Sequence, residues 1–399
     1  MSASVPLARL TFFIAILAAV GQMTQTMYVP SIGAMATEFM VDPAALQAVM
    51  ACYLIPYGLS QFVYGTLSDR LGRKPIIMTG LGIYVVGTVI ALFAGSFEWF
   101  LIGSFIQGAG IGSGGAMART LARDCFEGAQ LHQAASIISM CLMFSPLVAP
   151  VLGGYLTEHF DWRMSYIFLA LLACAVALTL MSFLHETLPA EKRKKESVIE
   201  SYQTVLGDRA FQGFLLTLVA TFAGVAVFEA AAGVLLGGTL GLPATVVSLL
   251  FVIPIPGYLA GAALSSFVAR RWSERTSLLS GGVAIIVGSV IVLVPGLAGE
   301  TTILTLVGGA TVYFLGAGVL FPAATTGAMN SFPQQAGTAG AVLGGLQNFG
   351  AGLATLAAAF LPADTQAPLG VIMLTASVLA FAGLWHAWSQ PQTQAQASA

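Results

Sequence analysis

Charge is the scarcest property of this 399-residue chain: Asp, Glu, Lys and Arg make up 8% of it, against 57% hydrophobic residues. A soluble domain carries about a quarter charged residues, so a water-facing surface cannot be built from this composition and a soluble fold is excluded. Cysteine and histidine are sparse too, with 4 of each. Cys52, Cys125, Cys141 and Cys174 share no metal-ligand spacing, and three of them lie in apolar segments where Cys acts as a small hydrophobe, so neither a disulfide nor a metal is expected. His132, His159, His185 and His386 are scattered, and no Ser/His/Asp constellation forms around them. The chain is expected to be no enzyme and to need no cofactor. A net charge of −2 singles out no partner, and no nucleic-acid partner is expected. The alternation of polar and apolar residues that marks a membrane barrel is missing as well, which leaves helices as the structure able to satisfy its own backbone in lipid.

What is present is a series of uncharged stretches, at 10–37, 43–68, 75–97, 99–118, 128–157, 164–185, 276–299 and 365–399, each long enough for one span of about 20 residues. Two longer stretches hold two spans each. The first, 210–269, is interrupted only by Glu229 and breaks at Gly241-Leu242-Pro243; the second, 301–363, breaks at the polar cluster from Asn330 to Gln335. The fold expected is an all-α membrane protein of twelve transmembrane helices. Residues 10–30 could pass for a signal peptide behind Arg9, but the apolar run is too long and eleven spans follow. An even count puts both termini on one side. That side also receives thirteen of the Lys and Arg residues, including Arg70, Arg73, Lys74, Arg123, Lys192 to Lys195, Arg270, Arg271 and Arg275, while Arg163 falls opposite and Arg119 at a span end. By the positive-inside rule both termini are cytoplasmic.

The sharpest discontinuity is residues 186–209, where Glu191-Lys192-Arg193-Lys194-Lys195-Glu196 divides the spans six and six. The expected organisation is an N-terminal six-helix bundle at 1–185, a cytoplasmic linker at 186–210, a C-terminal bundle at 211–389 and a disordered tail at 390–399. A faint repeat supports it. Gly108-Ala109-Gly110 recurs as Gly316-Ala317-Gly318, offset by 208 residues, and Ser68-Asp69-Arg70-Leu71-Gly72-Arg73-Lys74 has a degenerate echo in 269–275, offset by 201. Many secondary transporters are two such bundles facing one another across a midplane site.

The turn Gly65-Thr66-Leu67-Ser68-Asp69-Arg70-Leu71-Gly72-Arg73-Lys74-Pro75 packs four charges between spans two and three. It closely resembles the loop signature of the major facilitator superfamily. That resemblance implies a major facilitator fold of two pseudo-symmetric six-helix bundles, with Gly65 allowing close helix contact and Asp69 and Arg70 making charge contacts that latch the halves in one state; Gly72, Arg73 and Lys74 complete the motif. Span five carries Ser145-Pro146-Leu147-Val148-Ala149-Pro150-Val151-Leu152-Gly153-Gly154, similar to the family's antiporter motif, with Ser145 and Ala149 in place of two glycines. The alternative is a bent, tightly packed span around Pro146, Pro150, Gly153 and Gly154. Similarity to the twelve-span drug:proton antiporters of the family continues in 20–26, 119–124, 228–230 and 336–340. Two positions depart from the family pattern: span one has Gln22 and Gln25 where several relatives carry an acid, and span four has Ser104 where an arginine is common. Arg119 is the candidate substitute, but 20 residues on from Trp99, about 30 Å along a helix, it falls near the cytoplasmic surface, where snorkelling explains it better. The glycines Gly108, Gly110, Gly112, Gly114 and Gly115 follow no strand, so close helix packing explains them better than a nucleotide loop.

Glu229 is the only acid within an apolar span, and an ionised group in the bilayer costs at least about 3 kcal/mol. It is the candidate for proton coupling, because proton binding and cation binding become alternatives at one carboxylate. The alternative is an acid that faces water at the seven–eight connection. Tyr53, Tyr57, Gln61 and Tyr64 share one face of span two, where aromatic rings suit flat or cationic ligands; Tyr64 fits an interfacial position as well. Gln22, Gln25 and Thr26 of span one, Phe228 beside Glu229, and Gln347 and Asn348 of span eleven complete the candidate substrate site. Polar residues in lipid serve equally as glue between helices. The resemblance thus implies proton-coupled efflux of amphipathic, often cationic compounds by alternating access, from a monomer in the bacterial inner membrane whose partners are the bilayer, small substrates and protons. The alternative left open is an uncoupled exporter of a sugar or metabolite.

Overall fold

The computed structural model describes residues 7–189, 199–330, 332 and 335–389. The tail at 390–399 and the charged centre of the expected linker, 190–198, lie outside the described residues. Fifteen α-helices make up the rest, with no strand among the described residues. The first half consists of α1 (Leu7–Met27), α2 (Ile32–Phe39), α3 (Gln47–Leu71), α4 (Arg73–Leu92), α5 (Phe97–Cys125), α6 (Gly128–His159) and α7 (Arg163–Phe183). A short helix, α8 (Ile199–Gly207), leads into the second half: α9 (Arg209–Gly233), α10 (Ala244–Val252), α11 (Pro254–Arg271), α12 (Glu274–Leu297), α13 (Ile303–Asn330), α14 (Ala336–Ala359) and α15 (Ala367–Trp388).

Local chemistry sets the breaks. Pro30 lies in a 3-10 turn, Val29–Ser31, that jogs span one between α1 and α2, and Pro254 opens α11 where span eight bends. Asp208 caps α9 by accepting from the Phe211 amide at 2.7 Å, and Ser273 caps α12 through Thr276. Gly72 ends α3 at φ 107°, a conformation that excludes a side chain, and so turns the chain at once into α4. By contrast, α6 runs unbroken through Pro146 and Pro150.

Eleven of the spans are both long and apolar enough to cross a membrane. The twelfth, α5, has the length, 29 residues, but six glycines and Gln107 dilute its apolar character. The glycines are there because α5 is wedged between α3 and α4: a Cβ at Gly110 would meet the Gly80 carbonyl at 2.6 Å, and one at Gly115 the Tyr57 hydroxyl at 2.8 Å. Large apolar side chains instead face outward, Leu171, Leu178 and Met181 on α7 and Val283, Val287 and Val294 on α12 among them, as a helix in lipid requires.

The halves repeat one packing plan. In the first, α5 packs on α3 and α4, α7 on α4, and α1 on α6 and α7; in the second, α13 packs on α11 and α12, α15 on α12, and α9 on α14 and α15. Glycine contacts fix the register. Gly80 and Gly87 of α4 meet Gly110 and Gly103 of α5, as Gly281 and Gly288 of α12 meet Gly316 and Gly309 of α13. The offset is 201 residues from α4 to α12 and 206 from α5 to α13. The 208-residue alignment of the two Gly-Ala-Gly triplets is therefore two residues out of register: Gly108 faces Tyr53 of α3, whereas Gly316 faces α12. Both triplets put small residues on two faces, and a slip of two leaves the sequence match intact.

Two helix pairs join the halves, α3 with α14 and α6 with α10. At the end opposite the basic loops, which carries Glu38, Asp42, Glu98, Glu158, Asp161, Glu300 and Asp364, the halves close in a seam. A π-helical turn, Val234–Thr239, follows α9 there, and with Gly233 its glycines let the first half approach closely. A Cβ at Gly233 would strike the Val29 carbonyl, one at Gly237 would touch Gly33, and one at Gly238 would stand 2.7 Å from Pro43. Glu158 of α6 accepts from the Thr245 amide of α10 at 3.1 Å and from the Thr245 hydroxyl.

Candidate functional site

Between the halves lies a cavity of about 300 Å³, walled by α1, α3, α5 and α6 on one side and α9, α11, α13 and α14 on the other. Of the residues picked out in the sequence, Gln22, Tyr57, Gln61, Glu229, Gln347 and Asn348 line it. Gln25, Thr26, Tyr53 and Phe228 do not. Thr26, fully buried, donates to the Gln22 carbonyl at 3.2 Å. The Tyr53 hydroxyl donates to the Gly21 carbonyl at 2.7 Å and so bolts α3 to α1. Phe228 is fully buried among Phe251 and Phe314. Gln25 donates from Nε2 to Glu229 Oε2 at 2.6 Å, a bond that crosses from one half to the other.

Apart from Gly115 and Pro146, read there for other roles, the rest of the wall was silent in the sequence. Phe222, Tyr258, Phe314 and Phe321 come from the second half, and Leu142, Met143 and Pro146 from the first. The 201-residue register carries Tyr57 of α3 onto Tyr258 of α11, so one tyrosine from each half faces the cavity. The 206-residue register carries Gly115 onto Phe321, and here symmetry fails: Tyr57 is backed by a glycine, and the Tyr258 ring lies 6.0 Å from the ring of Phe321. The second half is therefore the aromatic wall. The first contributes the amides of Gln22 and Gln61, and α14 returns Gln347 and Asn348 opposite them. Asn348 donates to the Gly344 carbonyl at 2.9 Å, which leaves its Oδ1 buried and unpaired. Such a site can hold a flat or apolar body against rings and present one carboxylate to a cation or a proton.

The motif between α3 and α4 forms a different charge network from the one the resemblance implied. Arg73, 8% exposed, pairs with Asp69 at 2.6 Å and with Asp124 at 3.2 Å, and donates to Ser68. Arg70 is exposed. Asp69 stands in the last turn of α3, and the reversal at Gly72 folds Arg73 back over it, whereas Arg70, the next residue along the helix, points elsewhere. All these partners belong to the first half, so in this conformation the network ties α3 to α5 and does not bridge the halves. Lys74 donates to the Met181 carbonyl at 2.8 Å, and Glu186 accepts from the Arg73 amide at 2.8 Å. Gly65 has the Tyr202 hydroxyl of α8 as its neighbour. In α6, Gly153 lies against the Met27 carbonyl of α1 and Gly154 against Ala244 and Ser248 of α10; Pro146 lines the cavity and Pro150 is buried. The Arg119 side chain lies outside the described residues.

Two helical halves of one plan around a central amphipathic cavity define a membrane transporter. The sequence pattern of the Major Facilitator Superfamily matches residues 13–355, and the chain belongs to that family. It is 40% identical to multidrug resistance protein D of Escherichia coli (strain K12) over 93% of both chains. It is 25% identical to the bicyclomycin resistance protein homolog of Haemophilus influenzae, over 89% of this chain and 90% of that one. In structure it is similar to the xylose transporter XylE from E. coli in a partially occluded inward-open conformation, with a TM-score of 0.72 at 12% identity over 97% of this chain and 98% of that one.

Proposed function

We propose that this chain is a proton-coupled antiporter that exports amphipathic, often cationic compounds by alternating access. The observation that carries the proposal is the position of Glu229, the one acid within an apolar span, on the wall of a cavity shared by both halves. A carboxylate there binds either a proton or a cation, and exchange of the two is antiport. The aromatic wall of Phe222, Tyr258, Phe314 and Phe321 supplies apolar contact tolerant of many shapes, and the likeness to relatives named for multidrug and bicyclomycin resistance agrees with it. With the basic end in the cytoplasm, both termini are cytoplasmic, and the seam at the acidic end makes this the inward-facing state. The halves rock as two bodies about the cavity, and the chain works as a monomer.

One proton moving down 100 mV supplies about 2.3 kcal/mol, enough to concentrate a neutral substrate roughly 50-fold. A monovalent cation exchanged for a proton moves no net charge and draws only on the pH gradient. The test is an internal pH dye in acid-loaded liposomes carrying the purified protein, with cationic and neutral amphipaths added outside. Substrate-triggered alkalinisation is expected from the wild type and not from Glu229→Gln, which should still fold and reach the membrane. Collapse of an imposed potential should slow transport of neutral compounds, which then draw on the pH gradient alone, and spare cations. Undiminished pH-dependent transport by Glu229→Gln would reject the role of this carboxylate.

A further inference from the structure

We infer that Gln25 is the positioning residue that ties the charge on Glu229 to closure of the acidic end, so that the empty, unprotonated carrier is held shut and cannot return without cargo. The inference rests on the proton-coupled reading above and names the interlock that would enforce it.

Gln25 stands near the end of α1 in the first half and is 1% exposed; Glu229 stands in α9 of the second. Their bond, Nε2 to Oε2 at 2.6 Å, sits one turn before the place where Gly233 meets Val29 and Ile32. Anything that strengthens it holds the seam. The other atom of the amide, Gln25 Oε1, is buried with no partner. A buried acceptor left unpaired is costly and calls for an explanation. The explanation lies in the two states of the carboxyl. Nε2 donates to a carboxyl oxygen in either state, but only a carboxylic acid has a proton to give, and Oε1 of the turned amide can accept it.

Gln25 can therefore meet Glu229 in either state, but not equally, because a hydrogen bond to an ionised acceptor is about twice as strong as a neutral one. The link across the seam is strong while Glu229 is ionised and vacant. It weakens when a proton, or a cation bound from the cavity, takes the carboxylate. Little else competes. Tyr28, in the turn after α1, interacts electrostatically with Glu229, and Cys52 of α3 interacts with Tyr28. The helices α10, α13 and α14 carry no Asp, Glu, Lys, Arg or His, and His386 of α15 lies at the basic end.

The test uses full-length protein in liposomes with ethidium as the probe cation. Net downhill ethidium flux is read at alkaline pH with no pH gradient or potential imposed, and protons released per ethidium are read in a parallel acid-loaded set. Gln25→Leu should raise downhill flux by about tenfold, the weight of one charge-assisted bond, and lower the proton-to-ethidium ratio. A defect of packing alone would depress both fluxes and leave the ratio unchanged, and that result overturns the inference while leaving Glu229 as the proton carrier. Ethidium flux without protons in the wild type would reject proton coupling itself, and the interlock with it. Should Gln25→Leu not fold, the wild type still decides: spin labels at Met40 and Phe360, on opposite halves of the acidic end, should stay close at alkaline pH and separate as pH falls, whereas a separation independent of pH overturns the inference.

Discussion

Arg73 shows how a residue's role depends on which turn it follows. The motif it belongs to could be recognised by its resemblance to the family's loop signature, but the pairing inside it could not be read, because the partner is chosen by the reversal at Gly72 and by Asp124, which stands 51 residues away. Arg73 is buried and both its carboxylates keep about a quarter of their surface. Arg73→Met should therefore cost about 3 kcal/mol, near the low end for breaking a buried ion pair, seen as a lower melting midpoint of the purified protein. Arg70→Ala should fall within about 0.5 kcal/mol of the wild type. The cavity teaches the complementary lesson. Gln22, Gln61 and Glu229 stood out in the sequence as polar groups in apolar spans, whereas Phe222, Phe314 and Phe321 had no contrast with their surroundings and nothing to mark them. Tyr258 was within reach, since the 201-residue offset of the basic loops points to it from Tyr57.

At the scale of the helices, charge did most of the marking. Ionised residues sit where helices leave the lipid, so gaps between them count spans, and the breaks at Gly241-Leu242-Pro243 and after Asn330 fall where α10 and α14 are about to begin. The jog at Pro30 and the π-helical turn after α9 left no such trace, because both lie inside uncharged runs. The same runs hide which glycines bear contact. A Cβ at Gly58 would run into the Gly345 carbonyl and stand 2.5 Å from the Phe349 amide of α14, while one at Gly82 would meet nothing within 4 Å. Gly58→Val should thus wedge the two halves apart at a cost of about 1–3 kcal/mol, and transport should fall with thermal stability. Gly82→Val should leave both near wild type. Equal effects from the two would show that helix propensity, and not the α3–α14 contact, governs the outcome.

Over the whole molecule, Lys and Arg gather at one end, with Arg163 at the other, and this asymmetry supports the orientation proposed above. A membrane-impermeant thiol reagent applied to intact cells should label Met40→Cys and Phe360→Cys, which are 91% and 81% exposed in the parent residues. It should spare Trp272→Cys at the basic end, 65% exposed in the parent, until the cells are opened. The reverse pattern would invert the reading. The twofold plan was visible in the sequence, but its register was not, because glycine triplets match themselves at several offsets and only the contact between backbones chooses one. Those contacts also give the seam at the acidic end its character. A barrier made of side chains is porous on the timescale at which rotamers flip, whereas Gly233 and Gly237 against Val29 and Gly33 set main chain against main chain, and Gly238 lies against the ring of Pro43. Such a joint has no rotamers to flip, so its leak to stray protons and small ions should stay flat with rising temperature until the halves part as whole bodies.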